Sequence, residues 1–471
     1  MDRACALILA AGDGKRMKSR CPKALCEVLF KPMLSWVTDS CRAAEIREIC
    51  AVIAPDADAV AAVLPPGCET AIQEEKLGTG HAVMMAEGFL RRHRGDSVLV
   101  LYGDAPFVDR DTICAAYAEH TGEGNDLTVV SARLEDPTGY GRILRDENGD
   151  LLAIVEQRDA DEKTRMIQEV NSGIYWFRVE FLLDALNKLG TDNAQGEYYL
   201  TDTVGIAVAE GRRAGIYRAE SPDVILGANT RSDLARLNEI ARRRVLERQL
   251  DAGVSIPFPE TVVICPDTVI GPDTVVLPGC ILRGCTIGSG CTIGPYSVLT
   301  GCRVEDAARV EQSTGEESSV GPGARVGPYA RLRPGSRLGP GVKVGNFVEI
   351  KNSTLGERTS VAHLSYLGDS DVGREVNVGC GVVTANYDGR EKFRTRIGDR
   401  AFVGCNTNFI APVSAGEGSV IAAGTTVTED VPSDALAVGR APQVVKPGWA
   451  LRSGKYKRDT HQTGQKNKEE K

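Results

Sequence analysis

The amino-acid sequence predicts two unlike halves: an α/β domain on a mostly parallel sheet, then a parallel β-helix built from six-residue rungs. Three observations carry this. Short apolar runs alternate with helix-like segments over the first ~230 residues, the pattern of strand–helix–strand units. From residue 263 an apolar residue returns at every sixth position. Glycine is abundant, 51 of 471 residues, while aromatic residues make up only 5%, which fits many tight turns and little room for rings.

The length suits two or three domains, and 25% charged with 42% hydrophobic residues is the composition of a globular chain. Lys+Arg 56 against Asp+Glu 64 gives a net charge of −8, which argues against a general nucleic-acid or membrane-surface binder while leaving room for a local basic pocket. The 14 cysteines (Cys5, Cys26, Cys50, Cys114 and Cys285 among them) stand singly, with no CxxC pair and no nearby histidines, so a zinc cluster is not expected. The apolar opening Ala4–Ala11 lacks a basic flank and runs into Gly12-Asp13-Gly14, so it reads as a buried strand rather than a signal peptide. No apolar run reaches the ~18 residues of a membrane helix. The expected compartment is the cytosol, with reduced thiols.

In chain order, Ala6–Leu9, Ile49–Ile53, Ser97–Leu101 and Leu127–Val130 read as strands. A helix follows from Ser232 to Leu250, with Leu234, Leu237, Ala241, Val245 and Leu250 on one face, Ser232 or Asp233 as cap and Gly253 closing it. It reads equally as an interdomain helix or as one packed on the first domain alone. The rungs then begin at Val263, Val269, Val275, Ile281, Ile287, Ile293 and Leu299, break over Glu311–Ser318, and resume at Val320, Val326, Leu332, Leu338, Val344 and Ile350. They return as Ile397, Val403, Phe409, Ala415, Ile421 and Val427, and glycine often follows the apolar position. Three rungs close one triangular coil, and coils stack at the ~4.8 Å strand spacing, so residues 263–432 predict about nine or ten coils around a core of stacked Val and Ile that excludes rings. Ser453–Lys471, polar and lysine-rich, reads as a disordered tail. The expected domains are therefore 1–230, a linker helix 231–252, the β-helix 253–450 and the tail 451–471.

Chemistry-bearing residues gather in two places. The run Leu7-Ile8-Leu9-Ala10-Ala11-Gly12-Asp13-Gly14-Lys15-Arg16-Met17 reads as a strand, a glycine-containing turn and a cationic helix start. Backbone N–H groups of such a turn can cradle phosphates that Arg16 neutralises. Alone it is equally an ordinary strand-to-helix turn, and it is neither a Walker loop nor a full dinucleotide fingerprint. Pro22-Lys23 adds a cation suited to a nucleotide α-phosphate, although a single lysine is more often a solvated surface residue. Gln73-Glu74-Glu75-Lys76-Leu77-Gly78-Thr79-Gly80-His81-Ala82 then precedes Leu101-Tyr102-Gly103-Asp104-Ala105-Pro106, which puts a carboxylate at the end of an apolar strand. Ligands bind at such strand ends, and a carboxylate there suits Mg²⁺.

With Asp136-Pro137-Thr138-Gly139-Tyr140-Gly141-Arg142-Ile143, Val155-Glu156, Val170-Asn171-Ser172-Gly173, Asn193-Ala194-Gln195-Gly196-Glu197-Tyr198-Tyr199 and Asn229, the chain resembles the sugar-nucleotidyltransferases. Together with the hexapeptide half, it resembles from about residue 5 to 450 the bacterial family that joins an N-acetylglucosamine-1-phosphate uridylyltransferase to a glucosamine-1-phosphate N-acetyltransferase. The resemblance implies a Rossmann-like head and a left-handed β-helix. It implies that Leu9, Ala10, Ala11, Gly12 and Lys23 hold the phosphates of UTP, and that Gln73, Gly78 and Thr79 read uracil. Tyr102, Gly103, Gly141, Glu156, Asn171 and Asn229 would meet the sugar phosphate, and Asp104 and Asn229 would hold Mg²⁺. Catalysis would rest on positioning and on neutralisation by Arg16, Lys23 and the metal, because a phosphate attacking the α-phosphorus needs little covalent help. Lys15 departs from the family's usual small hydroxyl residue.

The second gathering centres on His363, at the third position of the rung Val361-Ala362-His363-Leu364-Ser365-Tyr366-Leu367, where side chains point outward. A lone histidine is usually structural or simply exposed. Here Arg331, Arg333, Lys351, Tyr366, Asn377, Asn386, Tyr387 and Lys392 lie within a few coils and offer an anion-binding surface beside a base. The resemblance makes His363 the general base that takes a proton from the amine of glucosamine 1-phosphate as it attacks the acetyl-CoA thioester, a task suited to an imidazole of pKa ~6.5. Arg333, Lys351, Tyr366, Asn377 and Asn386 would bind the amino-sugar phosphate. Cys380, Asn386, Tyr387, Cys405, Ala423 and Arg440 would meet acetyl-CoA. Cys380 and Cys405 stand where small alanine or serine is usual, which suggests thiol sensitivity. The family also implies a homotrimer with each acetyl-transfer site between neighbouring prisms. Two other readings stay open: a sensing scaffold without chemistry, whose charged site residues would be eroded, and a single-activity pyrophosphorylase with a structural β-helix.

Overall fold

A computed structural model describes residues 3–12, 14–19, 21–55 and 57–454. The expected tail beyond residue 454, Asp13 of the phosphate turn and the Lys15 side chain lie outside the described residues. The chain divides into two compact units, Met1–Thr286 and Ile287–Lys471.

The first unit is built on a mixed sheet. Its strand order is Ala214–Arg218, Leu127–Arg133, Glu169–Arg178, Ser97–Tyr102, Ala4–Leu9, Glu48–Ile53, Glu69–Ile72. All four strands read from the sequence are present. Neighbours run parallel except Glu169–Arg178, which is antiparallel to both strands beside it. Arg142–Arg145 pairs with that strand and with Leu151–Val155. Because side chains alternate across a strand, Cys5 and Leu7 enter one buried cluster with Val98, Val100 and Phe177, while Ala6 and Ile8 enter another with Leu99, Leu101 and Trp176. Both faces are covered, so the inner strands carry apolar side chains on both faces, and burying each Val or Leu contributes about 1.5–3 kcal/mol.

The helix after the head spans Arg231–Asp251. Its cap is Thr230 rather than Ser232 or Asp233: the Thr230 side chain accepts from the Asp233 N–H at 3.1 Å while Asp233 accepts from the Thr230 N–H, a reciprocal box. Leu237, Ala241, Val245, Leu246 and Gln249 face inward, whereas Leu250, assigned to that face from the sequence, is exposed, because the buried stripe follows steps of four and passes it by. The helix touches both the head and the first coil. Asn238 Oδ1 accepts from Leu29 N at 2.9 Å, and Arg248 and Gln249 donate to the carbonyls of Pro266 and Thr268.

The coils begin at Val263–Ile264, with a phase unlike the expected one. Ile264, Ile270, Val276 and Leu282 are buried, while Val263, Val269, Val275 and Ile281 are not. Each rung here opens on an apolar pair, so the six-residue spacing matches on either member. A five-residue step from Leu282 to Ile287 then brings the inward position onto Ile287, Ile293 and Leu299.

In the second unit successive coils pair strand on strand in parallel, as Val326 with Val344 and Val344 with Val361. The wall is a left-handed parallel β-helix. The expected break at Glu311–Ser318 does not exist: Thr314–Glu316 is a strand paired with Val298–Thr300 and Arg331–Leu332. Its inward residue is Gly315, where a Cβ would lie 3.0 Å from Leu299 Cδ2, and the steps on either side are five residues long. A glycine inside and shortened rungs erase an apolar period. One ring does enter the core, Phe409, fully buried, while Tyr296, Tyr329, Phe347 and Phe402 face out. The last strand is Leu436–Ala437, followed by an exposed segment and a short helix at Trp449–Arg452. No helix among the described residues is long and apolar enough to cross a membrane.

Candidate functional site

In the head, the strands Ala4–Leu9 and Ser97–Tyr102 run side by side with Leu9 opposite Tyr102, so both end on the same edge. Gly103 continues the pairing, donating to Leu9 O at 2.9 Å, and a Cβ on it would lie 3.1 Å from Ala10 Cβ. That edge opens into a cleft of about 250 Å³ lined by Leu9–Gly12, Lys23, Gln73, Gly78, Thr79 and Tyr102–Asp104. A second cleft of about 300 Å³ is lined by Tyr140, Gly141, Glu156, Asn171, Gly173 and Asn229. Lys23, Tyr102 and Asp104 line both. The structure thus brings together every cleft residue named from the sequence, with Arg16 at its rim.

The junction is electrostatic. Lys23 Nζ forms an ion pair with Asp104 and donates to Asn229 Oδ1 at 2.8 Å, and Arg16 donates to the same oxygen at 2.8 Å. The Asp104 carboxylate and the Asn229 amide oxygen therefore already converge on one cation. No group of three or more His, Cys, Asp or Glu side chains able to hold a metal occurs among the described residues. Two oxygen donors suit a hard dication that takes its remaining ligands from water and phosphate, as Mg²⁺ does.

Backbone form holds the walls. Gln73, 5% exposed, donates through Nε2 to Gly78 O at 3.2 Å. Gly78 has φ 110°, and a Cβ there would lie 2.5 Å from Tyr198 O; the Gly80 N–H donates to that same oxygen. Thr79 Oγ1 accepts from Leu200 N at 3.0 Å and Tyr198 N donates to Leu77 O, so the end of the Asn193–Tyr199 motif and the residue after it stitch this wall of the first cleft in place. In the second cleft, the register shift between Asn171 and Tyr175 turns the strand at Gly173, whose φ is 77° and whose missing Cβ would lie 2.0 Å from Tyr102 Cε2. Burial, then the nearby Glu156 and Asp104 carboxylates, pushes the Tyr102 phenol well up, so it stays protonated. Burial also raises Glu156, against the opposing hydrogen bond from Thr201.

Three contributors here were not among the residues singled out from the sequence. Glu197 and Lys76 line the first cleft. Arg142, 1% exposed, donates to Tyr140 O and, at 2.8 Å, to Gln157 Oε1, clamping the Asp136–Gly141 loop from beneath. All three lay inside motifs read from the sequence, but only contacts in the folded chain mark them out.

In the coils, His363 ends the strand Ser360–His363 and is exposed, as its rung position predicted. The next strand of the same coil, Tyr366–Gly368, stacks on Glu349–Lys351, which stacks on Arg331–Leu332. Arg333 is paired with Glu349 at 2.9 Å. Gly368 is opposite Lys351, and a Cβ on it would lie 2.3 Å from the Tyr366 hydroxyl, so the phenol lies across the glycine beside Lys351. The Lys392 ammonium beside Lys351 pulls the Lys351 pKa down; two adjacent cations make a place for an anion. Asn386 is buried and donates to Asp369, which also accepts from Asn352 at 2.5 Å. Asp369, a positioning residue missed in the sequence, gave no signal because its two partners lie 17 residues away on either side.

Asn377 lies one coil on from Ser360, on the sheet neighbouring that of Lys351, and is exposed. Tyr387 bridges to Lys392 at the surface. Cys380, Cys405 and Ala423 follow one another at equivalent positions of successive coils, since Val378 pairs with Val403 and Val403 with Ile421. Arg440 donates to Ala423 O at 2.6 Å. Lys351 and Tyr366 thus lie on one sheet, and Cys380, Cys405 and Ala423 form a column along another.

Residues 6–170 match the model of the MobA-like NTP transferase domain, and residues 267–301 match the bacterial transferase hexapeptide (six repeats). Over nearly their whole lengths, curated relatives bearing the name bifunctional protein GlmU align with the chain. The one from Fervidobacterium nodosum is 46% identical across 94% of this chain and 96% of its own. That of Acetivibrio thermocellus is 44% identical across 98% and 100%, and that of Bacillus licheniformis 45% across 96% and 99%. The chain belongs to the GlmU family of bifunctional enzymes, which pair an N-acetylglucosamine-1-phosphate uridylyltransferase with a glucosamine-1-phosphate N-acetyltransferase.

Proposed function

We propose that the two clefts meeting at Lys23, Tyr102 and Asp104 are the uridylyl-transfer site, and that the face around His363 is the acetyl-transfer site supplying it. The observation that carries the first half is the shared junction: one cleft has the size and wall chemistry for a nucleotide, the other for a sugar phosphate, and cations sit where they join. UTP lies in the first cleft, its phosphates against Leu9–Gly12 and its uracil against Gln73, Gly78 and Thr79. With the Gln73 nitrogen bound to Gly78, its amide oxygen faces the uracil N3–H. N-acetylglucosamine 1-phosphate lies in the second cleft, held by Gly141, Glu156 and Asn171, with its phosphate directed at the α-phosphorus. Arg16 and Lys23 neutralise the charge that develops as pyrophosphate departs. Asp104 and Asn229 would hold Mg²⁺, which when bound supplies further charge neutralisation to the phosphates. Lys23 then exchanges its grip on Asp104 for one on phosphate.

At the coil face, the phosphate of glucosamine 1-phosphate binds Arg333 and Lys351, with Tyr366, Asn377 and Asn386 orienting the sugar. His363 removes a proton from the amine as nitrogen attacks the thioester carbonyl. Acetyl-CoA follows the column Cys380, Cys405, Ala423, with Tyr387 and Arg440 at its edges. Residues 1–230 and 253–450 serve as the two chemical modules, and a homotrimer formed through the coils completes each acetyl-transfer site. The product, UDP-N-acetylglucosamine, serves cell-envelope synthesis from a cytoplasmic enzyme.

Mass analysis of products with UTP, acetyl-CoA, glucosamine 1-phosphate and Mg²⁺, each omitted in turn, tests this. UDP-N-acetylglucosamine should appear only in the complete mixture, and acetylated sugar phosphate should persist without UTP. Uridylylation of glucosamine 1-phosphate as the main route would refute the order.

A further inference from the structure

Cys380 is half-exposed and Cys405 exposed, whereas Cys265, Cys280, Cys285, Cys291 and Cys302 of the earlier coils are buried. They stand in register. Val378 pairs with Val403, and each strand reaches a left-handed residue three positions later, Gly381 at φ 76° and Asn406 at φ 55°. The Asn406 N–H donates to Cys380 O at 2.7 Å, and a Cβ on Gly379 would lie 2.7 Å from Cys405 N. Cys380 and Cys405 are thus stacked neighbours on adjacent coils, ~4.8 Å apart by strand spacing, inside the about 4.4–6.8 Å Cα window of a disulfide. His363 holds the same position one coil earlier, since Val361 pairs with Val378 and Leu364 is likewise left-handed. The column runs His363, Cys380, Cys405, Ala423.

We propose that Cys380 and Cys405 form a thiol–disulfide exchange site that takes a low-molecular-weight disulfide such as oxidised glutathione and closes to a Cys380–Cys405 disulfide. One thiolate attacks the reagent's sulfur, forming a mixed disulfide and expelling one glutathione thiolate. The stacked neighbour then attacks the protein-bound sulfur and expels the second. Two protein thiols are oxidised and one glutathione disulfide is reduced to two thiols, whose protons come from the cysteines. Resting on the acetyl-transfer reading above, the closed disulfide removes both side chains from their places along the acetyl-CoA column beside His363, and so shuts that reaction alone.

The test treats the full-length protein with oxidised glutathione and maps tryptic peptides without reduction. Glu375–Arg390 and Ala401–Arg440 each carry one of the two cysteines. They should be recovered joined, two hydrogens lighter than their sum, with acetyl transfer lowered at least tenfold and uridylyl transfer unchanged; a thiol reductant should separate the peptides and restore acetyl transfer. Cys405→Ser should stop at a Cys380 glutathione adduct. Separate adducts on the two peptides of the unmutated protein, or unmodified thiols, overturn the exchange site. A joined pair with acetyl transfer intact overturns the shut-off. Absence of acetyl transfer before any treatment would instead strike the activity assignment, because the joined peptide is read by mass alone.

Discussion

The head and the coils build their sites in opposite ways. In the head, groups from Leu9 to Asn229 converge on one edge, and most are tied to one another: Lys23 to Asp104 and Asn229, Gln73 to Gly78, Gly173 beneath Tyr102. In the coils, His363, Cys380, Cys405 and Ala423 reach the surface because the wall repeats, and their side chains have little beneath them to hold or to break. A site made by convergence shares its residues with the fold, whereas a site displayed on a repeating wall is nearly separable from it.

The sharpest way to break this comparison is His363→Ala. Acetyl transfer should fall about 10²–10⁴-fold, the range for losing a general base, with uridylyl transfer and thermal midpoint unchanged because the side chain is exposed. A lowered midpoint would show that the coil site is not separable.

Asp104→Ala should cost uridylyl transfer about 10²-fold or more while acetyl transfer survives, with Mg²⁺ titration of the residual rate as the check. It also leaves Lys23 only its bond to Asn229, so the head's unfolding midpoint should drop, unlike that of the His363 variant.

A third outcome concerns pH. His120 is buried, and burial, with Arg178 nearby, lowers its pKa to about 4 from 6.5. Above pH 6.5 both folded and unfolded states are neutral there. As pH falls toward 4 the unfolded chain takes up the proton and the folded head does not, so stability declines by up to about 3 kcal/mol across that window. Denaturant titration at pH 7 and pH 4.5 should show the loss, and His120→Phe should flatten it.

The smallest effect expected is Gly173→Ala. The left-handed backbone and the clash with Tyr102 should destabilise the head by about 1–3 kcal/mol. Uridylyl transfer should weaken through Tyr102, and acetyl transfer should persist at temperatures where the head remains folded.

Much of this was legible in the residues. The four head strands showed as apolar runs because both faces of the sheet are covered, and the His363 rung showed its outward position because the local period was intact. The phase of the first coil did not show, since pairs such as Val269-Ile270 satisfy either face. Nor did the coil through Gly315, where an inward glycine and five-residue steps hide the repeat. Leu250 was misplaced because a helix alone does not say which partner its stripe must meet.

By itself, the sequence determined the two architectures, the motif residues of both sites and the outward place of His363, since each is written in local spacing and side-chain type. Only the tertiary structure decided that Lys23, Tyr102 and Asp104 join two clefts, that Arg142 and Asp369 brace the walls, and that Cys380 and Cys405 stack in register. Several of these join residues far apart in the chain, 17 positions for Asp369 with Asn352 and 206 for Lys23 with Asn229. Distance along a chain carries no record of which distant side chain will lie across from it until the backbone has closed.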